Sequence, residues 1–146
     1  MAWQNAGQLT AKRCEIHSHA YESGVLIGES NAVFNGCKFY GNELAGIVSQ
    51  KKGSIHMYDC EVHNNCEGIL IQDTGNALVE NCKIYTNRSN GIFVGYDHRG
   101  SAVIIENEVY DNRSKGVFVA NSGNVVTRDN VEYKNRNLPP QMTSVI

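Results

Sequence analysis

"ENCKIYTNRSNGIFV", residues 80–94, repeats the phrasing of "YDCEVHNNCEGILI", residues 58–71. Each sets a Cys, a charged residue, a branched aliphatic and a ring, then an Asn, and closes on Gly and an apolar triplet. The phrase runs the length of the chain. Cys14, Cys37, Cys60 and Cys82 hold its first slot at intervals of 23, 23 and 22 residues, and Asn107 and Asn130 continue it at 25 and 23. Two positions on stand Ile16, Phe39, Val62, Ile84 and Val109, and beside them the rings His17, Tyr40, His63, Tyr85, Tyr110 and Tyr133. Asn42, Asn65, Asn87, Asn112 and Asn135 follow, and then Gly24, Gly46, Gly68, Gly91 and Gly116 open the apolar triplets. About six copies lie between Leu9 and Asn135.

A repeat of this length decides the architecture before any single residue does. No stretch carries apolar residues at helical spacing, and the Leu-x-x-Leu-x-Leu framework of leucine-rich repeats is missing. Each copy instead holds three short alternating runs broken by Gly, Asn or Asp, such as "ALVEN", "CKIY" and "GIFV". Three short strands per turn, stacked turn on turn, make an all-β chain: a right-handed, single-stranded parallel β-helix of about six coils. Residues 1–8 read as a lead-in, 9–135 as the β-helix and 136–146 as a tail.

Stacking turns equal slots into columns about 4.8 Å apart per coil. Period two places the Cys and Ile/Val/Phe slots inside, so the thiols read as small buried packers. A zinc stack would need converging Cys pairs, and no Cys-x-x-Cys occurs. Between them Glu15, Lys38, Glu61, Lys83 and Glu108 alternate in sign, which favours the correct register over a one-coil slip. The Asn column suits a bend, as a residue tolerant of left-handed backbone. The rings His17, Tyr40, His63, Tyr85, Tyr110 and Tyr133 are expected as an outward aromatic stripe that stabilises its sheet or stacks on a sugar or peptide. Leu26, Val48, Leu70, Phe93 and Phe118, the middle residues of the triplets, are expected to point outward as an apolar column that binds a partner.

The bulk numbers exclude more than they select. A net charge of −2, from 13 basic and 15 acidic residues, advertises no field for nucleic acid. No apolar run reaches the ~20 residues of a membrane span. Five cysteines without a recognisable signal peptide point to a reducing, cytoplasmic setting, where the sequons at Asn87 and Asn112 carry no glycan. The fourth copy is longer by the loop "GYDHRGS", residues 95–101, whose Tyr96, Asp97, His98 and Arg99 form a possible ligand loop. Glu22, Glu29, Glu43, Glu67 and Asp73 are scattered over other loops, and neither His56 nor the His17/His19 pair reads as a metal site. No cofactor, metal or catalytic residue is expected.

The recurring Gly-Ile/Val-x-Ile/Val, Gly-Asn or Gly-Ser, and Asn-x-Ile/Val-Tyr/His-x-Asn segments resemble the parallel β-helix repeats of pectin-lyase-like proteins. Within that group they are similar to the carbohydrate-binding-and-sugar-hydrolase repeat regions of β-helical F-box proteins and the Shc SH2-binding protein. The likeness spans roughly residues 9–135. It implies the fold and, by itself, either a substrate-recruiting scaffold or polysaccharide lyase or glycoside hydrolase chemistry. The clustered Asp, Arg and Lys of the pectinolytic members find no counterpart, and no F-box pattern occurs. The expected function is a non-catalytic scaffold, a module that binds a protein partner or a second copy; a carbohydrate-binding or polysaccharide-degrading module is the alternative. Because β-helix ends are normally capped, the chain is expected to be a fragment or to have its ends covered. Ser144-Val145-Ile146 matches a PDZ ligand if it ends the native chain.

Overall fold

A computed structural model describes residues 2–4, 7–121 and 123–138, the first three as backbone only. All regular structure there is strand. Sheet 1 stacks β1 (Ala2–Gln4), β4 (Val25–Gly28), β7 (Ala45–Gln50), β10 (Glu67–Ile71), β13 (Ile92–Val94) and β16 (Val117–Val119). Sheet 2 stacks β2 (Gln8–Lys12), β5 (Asn31–Asn35), β8 (Ser54–Tyr58), β11 (Asn76–Glu80), β14 (Ala102–Ile105) and β17 (Val125–Arg128). Sheet 3 stacks β3 (Glu15–His17), β6 (Lys38–Tyr40), β9 (Glu61–His63), β12 (Lys83–Tyr85), β15 (Glu108–Tyr110) and β18 (Val131–Tyr133). Every pairing is parallel and joins a strand to its counterpart one coil away, as the period requires. One boundary shifts: β1 pairs with β4, with Trp3 in register with Leu26, so the stretch read as a lead-in already contributes a strand. Three residues are too few for alternation to be visible in sequence. Ser144-Val145-Ile146 lies outside the described residues.

The interior is a set of aliphatic stacks. Ile47, Ile69 and Ile92 are fully buried in one register, as are Phe39, Val62, Ile84 and Val109 in another. Each such side chain contributes about 1.5–3 kcal/mol by leaving water. Phe34 meets Phe39 edge to face at 5.2 Å across the corner between sheets 2 and 3. Cys37, Cys60 and Cys82 are buried, whereas Cys14 in the first coil is exposed. The thiols do more than fill space. Cys37 and Cys60 donate to the Ala11 and Phe34 carbonyls at 3.4 Å, and Asn107 and Asn130 use their amides in the same slot on Val79 and Ile104. Burial pushes the Cys37 thiol up, so it stays a weak donor rather than a thiolate.

The corner between sheets 3 and 1 is held by a second amide ladder. Asn42 Nδ2 donates to Asn65 Oδ1 at 2.9 Å, Asn65 to Asn87 at 3.2 Å, Asn87 to Asn112 at 2.9 Å and Asn112 to Asn135 at 2.9 Å. The same Oδ1 atoms also accept the backbone N–H of the preceding rung. The left-handed backbone expected at these asparagines belongs instead to the residue before each: Gly41, Asn64, Thr86, Asp111 and Lys134. The Asn is thereby turned inward, where its amide replaces water for buried peptide groups. Glycine follows because the corner is crowded. A Cβ at Gly68 would lie 2.3 Å from the Gly91 carbonyl oxygen and 2.9 Å from Asn87 Nδ2.

Two departures from the repeat show how it is adjusted. Asn65 to Gly68 is one residue shorter than Asn42 to Gly46 or Asn87 to Gly91. Cys66 spans the short turn, its N–H donating to the Leu44 carbonyl and its carbonyl accepting the Ser89 N–H, each at 2.8 Å, while the Glu67 carboxylate accepts the Asn90 N–H at 3.1 Å and its amide at 3.4 Å. Desolvation raises the Glu67 carboxyl above its ordinary range, only partly offset by these donors. In the last coil Thr127, Asn130 and Glu132 take slots that face inward elsewhere, and Glu132 accepts the Val117 N–H at 2.9 Å. A polar terminal coil tolerates water against its interior.

Candidate interaction surface

Sheet 1 aligns Leu26, Val48, Leu70, Phe93 and Phe118 in one register, one per coil. Exposure along the column is uneven. Val48, the smallest of the five, is buried, 3% exposed, in register between Leu26 and Leu70, while the other four are half-buried. The open part is the phenylalanine end. Phe93 and Phe118 stack at 5.1 Å and 7°, and Tyr96 stands nearly perpendicular to both at 6.1 Å. Tyr96 is 73% exposed, and Lys115 Nζ sits 4.2 Å from the Phe118 ring centre. Three rings and a cation form a rigid, partly wet aromatic corner, the composition of an interface anchor. Exposed Tyr21 and Leu44 lie on the turns that lead into β4 and β7.

The 95–101 loop splits into separate roles. Tyr96 joins the aromatic corner. Arg99 pairs with Asp73 at 3.0 Å and Asp97 accepts the Asp73 N–H at 3.3 Å, so both knit this loop to the coil before it. The Arg99 guanidinium holds the Asp73 carboxyl below its usual range. His98 is buried, with its Nε2 3.0 Å from the Gly75 carbonyl, which gives that nitrogen the proton. The four residues therefore do not converge on a common point.

The stripe on sheet 3 is continuous: His17, Tyr40, His63, Tyr85, Tyr110 and Tyr133 stack with centres 4.8–5.0 Å apart and planes within 7°. Face-to-face stacking turns the inner rings' faces toward each other and leaves edges outward. Tyr40 donates to Glu15 at 2.8 Å, Tyr85 to Glu61 at 3.3 Å and Tyr133 to Glu108, each one coil back. Lys38 reaches Glu61 at 3.5 Å. Burial and then the Glu61 charge push the Tyr85 phenol up to about 12; at Tyr133 the Glu108 hydrogen bond leads, again to about 12. Alternating charges and rings thus lock adjacent coils to one another.

The partners of the aromatic corner were not visible as motifs. Lys115 is set apart only by preceding Gly116. Among the described residues no group of three or more His, Cys, Asp or Glu could hold a metal, and no helix is long and apolar enough to cross a membrane. A family model described as the right handed beta helix region matches residues 2–138. Neither the curated proteins nor the solved structures contain a match. The chain belongs to the right-handed β-helix family.

Proposed function

We propose that this right-handed β-helix is a non-catalytic interaction scaffold whose sheet 1 face docks an apolar protein surface, in the first instance a second copy of the chain. The observation that carries the reading is the Phe93–Phe118–Tyr96 corner, with Tyr96 held largely in solvent on a rigid coil. A rigid aromatic anchor loses little conformational entropy on docking, and the solenoid supplies that rigidity. The half-buried Leu26 and Leu70 extend the apolar strip along the axis.

Light scattering over a concentration series tests this. The 16.1 kDa chain is expected to gain mass with concentration, and the double change Phe93→Lys/Phe118→Lys is expected to abolish the gain. Saturable binding of an oligosaccharide, lost in Tyr96→Ala while the chain stays monomeric throughout, would overturn the reading in favour of a carbohydrate-binding module.

A further inference from the structure

The position after each ladder asparagine forms a column of its own on the outer corner between sheets 3 and 1. Its backbone is fixed coil by coil: Arg88, Arg113 and Arg136 donate their N–H groups to Asn65, Asn87 and Asn112 carbonyls at 2.8, 3.0 and 3.0 Å. Three of the chain's six arginines thus stand one above another, all exposed, at one-coil spacing of about 4.8 Å. Glu43 holds this slot in an earlier coil and the shortened turn after Asn65 leaves it out, Cys66 standing between Leu44 and Ser89, so the cationic run is confined to the last three. Together with Thr86, Asn87 and Asp111, the three arginines line a cavity of about 370 Å³.

The arginines are poorly neutralised. Arg88 gives one N–H to the Glu43 carbonyl at 2.9 Å, a neutral acceptor. The Arg113 and Arg136 guanidinia have no ion pair or hydrogen bond among the described residues. Asp111 is the one carboxylate in the cavity lining, and it makes no ion pair with either arginine. Stacked like charges repel, in a chain whose net charge of −2 gives no general reason to concentrate cations. An oxyanion between neighbouring guanidinia relieves that repulsion and matches their fork of donors.

We infer that the Arg88–Arg113–Arg136 ladder is a binding site for a polyvalent oxyanion carrying two or more phosphate-type groups about one coil apart. It lies on the corner, away from the outward column of sheet 1, and does not depend on the docking role of that sheet. A ligand with adjacent phosphate groups spans successive arginines, whereas a single phosphate engages one gap.

Titration calorimetry on the full chain with inositol hexakisphosphate as probe, and inorganic phosphate as the single-group comparison, tests the site. The expected result is saturable binding of the polyvalent probe, weakened by added salt, with inorganic phosphate much weaker. Arg113→Gln/Arg136→Gln is expected to lower affinity by roughly tenfold or more, because charge-assisted bonds are lost. Asp111→Asn is expected to tighten binding a few-fold, an opposite sign that a general loss of structure does not produce. Unchanged urea midpoints would establish that both variants fold. Absence of saturable binding, or affinity indifferent to both changes, or inorganic phosphate binding as tightly as the polyvalent probe, would overturn the inference.

Discussion

Truncating Asn87 to Ala tests whether the amide ladder holds the coils together. Asn87 Oδ1 accepts both the Asn65 N–H and Nδ2, at 3.1 and 3.2 Å, and its own Nδ2 donates to Asn112 Oδ1 at 2.9 Å and the Val62 carbonyl at 3.4 Å. After truncation the Asn65 amide keeps the Phe39 carbonyl at 3.1 Å, but the buried Asn65 N–H loses this acceptor. One stranded buried donor costs about 1–3 kcal/mol, and the lost bonds to Asn112 and Val62 add about 1 kcal/mol, for a total near 2–4 kcal/mol. Urea denaturation followed by circular dichroism reads this as a lowered midpoint. Asn135→Ala, at the partly exposed last rung, is expected to cost about half as much, because water replaces what is lost. Asn87→Asp should be worse than Ala at neutral pH. Its carboxylate would face Asn112 Oδ1 without a donor, and burial would raise its pKa. Stability lost above that pKa therefore returns as pH falls and the carboxyl gains a proton to donate. A loss below about 0.5 kcal/mol for Asn87→Ala, the range of ordinary surface changes, would refute the reasoning.

Three further outcomes follow from particular contacts. Glu67 has a raised pKa in the folded chain, so it binds a proton more tightly folded than unfolded, and the stability this lends at low pH is lost as pH rises through the folded value. Glu67→Gln removes that dependence and keeps one neutral oxygen to accept the Asn90 N–H, so urea midpoints of variant and parent should diverge in the variant's favour as pH rises. Gly68→Ala drives a Cβ into the Gly91 carbonyl and should destabilise by about 1–3 kcal/mol or more in thermal melts, despite the small added volume. Tyr85→Phe should remove one phenol that ionises near pH 12 from the ultraviolet titration, with little change in stability because the Glu61 bond is partly solvated.

Much of the fold was legible because a solenoid writes each structural role once per coil. The Cys37-to-Asn107 slot and the Phe39-to-Val109 slot state the interior directly, and the stripe from His17 to Tyr133 stacks as its spacing implies. What stayed hidden depends on geometry that composition does not carry. Asparagine is a favoured left-handed residue, which drew that role to Asn42 and its equivalents. The residues that hold it are Gly, Asn, Thr, Asp and Lys, too mixed to form a visible pattern. Alternation puts Val48 on the same column as Leu26 and Leu70, but its burial among them is not displayed by a single row of sequence. The short Asn65–Gly68 spacing was visible; that Cys66 spans it by bonding Leu44 and Ser89 was not, since that requires knowing which residues lie in the neighbouring coils. At the candidate site, Phe93 and Phe118 were placed on one column by the repeat. Tyr96 and Lys115 joined them through a loop path and a side-chain reach that the period does not encode.

The central claim is that sheet 1, at its phenylalanine end, is where the chain meets a protein surface. Replacing Tyr96 with the photocrosslinker p-benzoylphenylalanine, irradiating concentrated protein and mapping the products measures this directly. The account predicts covalent dimers whose crosslinks fall on sheet 1 residues of the second copy and disappear when Phe93 and Phe118 are changed to Lys. Equal dimer yield from a crosslinker at Lys83 on sheet 3, or dimers that persist in the double Lys variant, would contradict it.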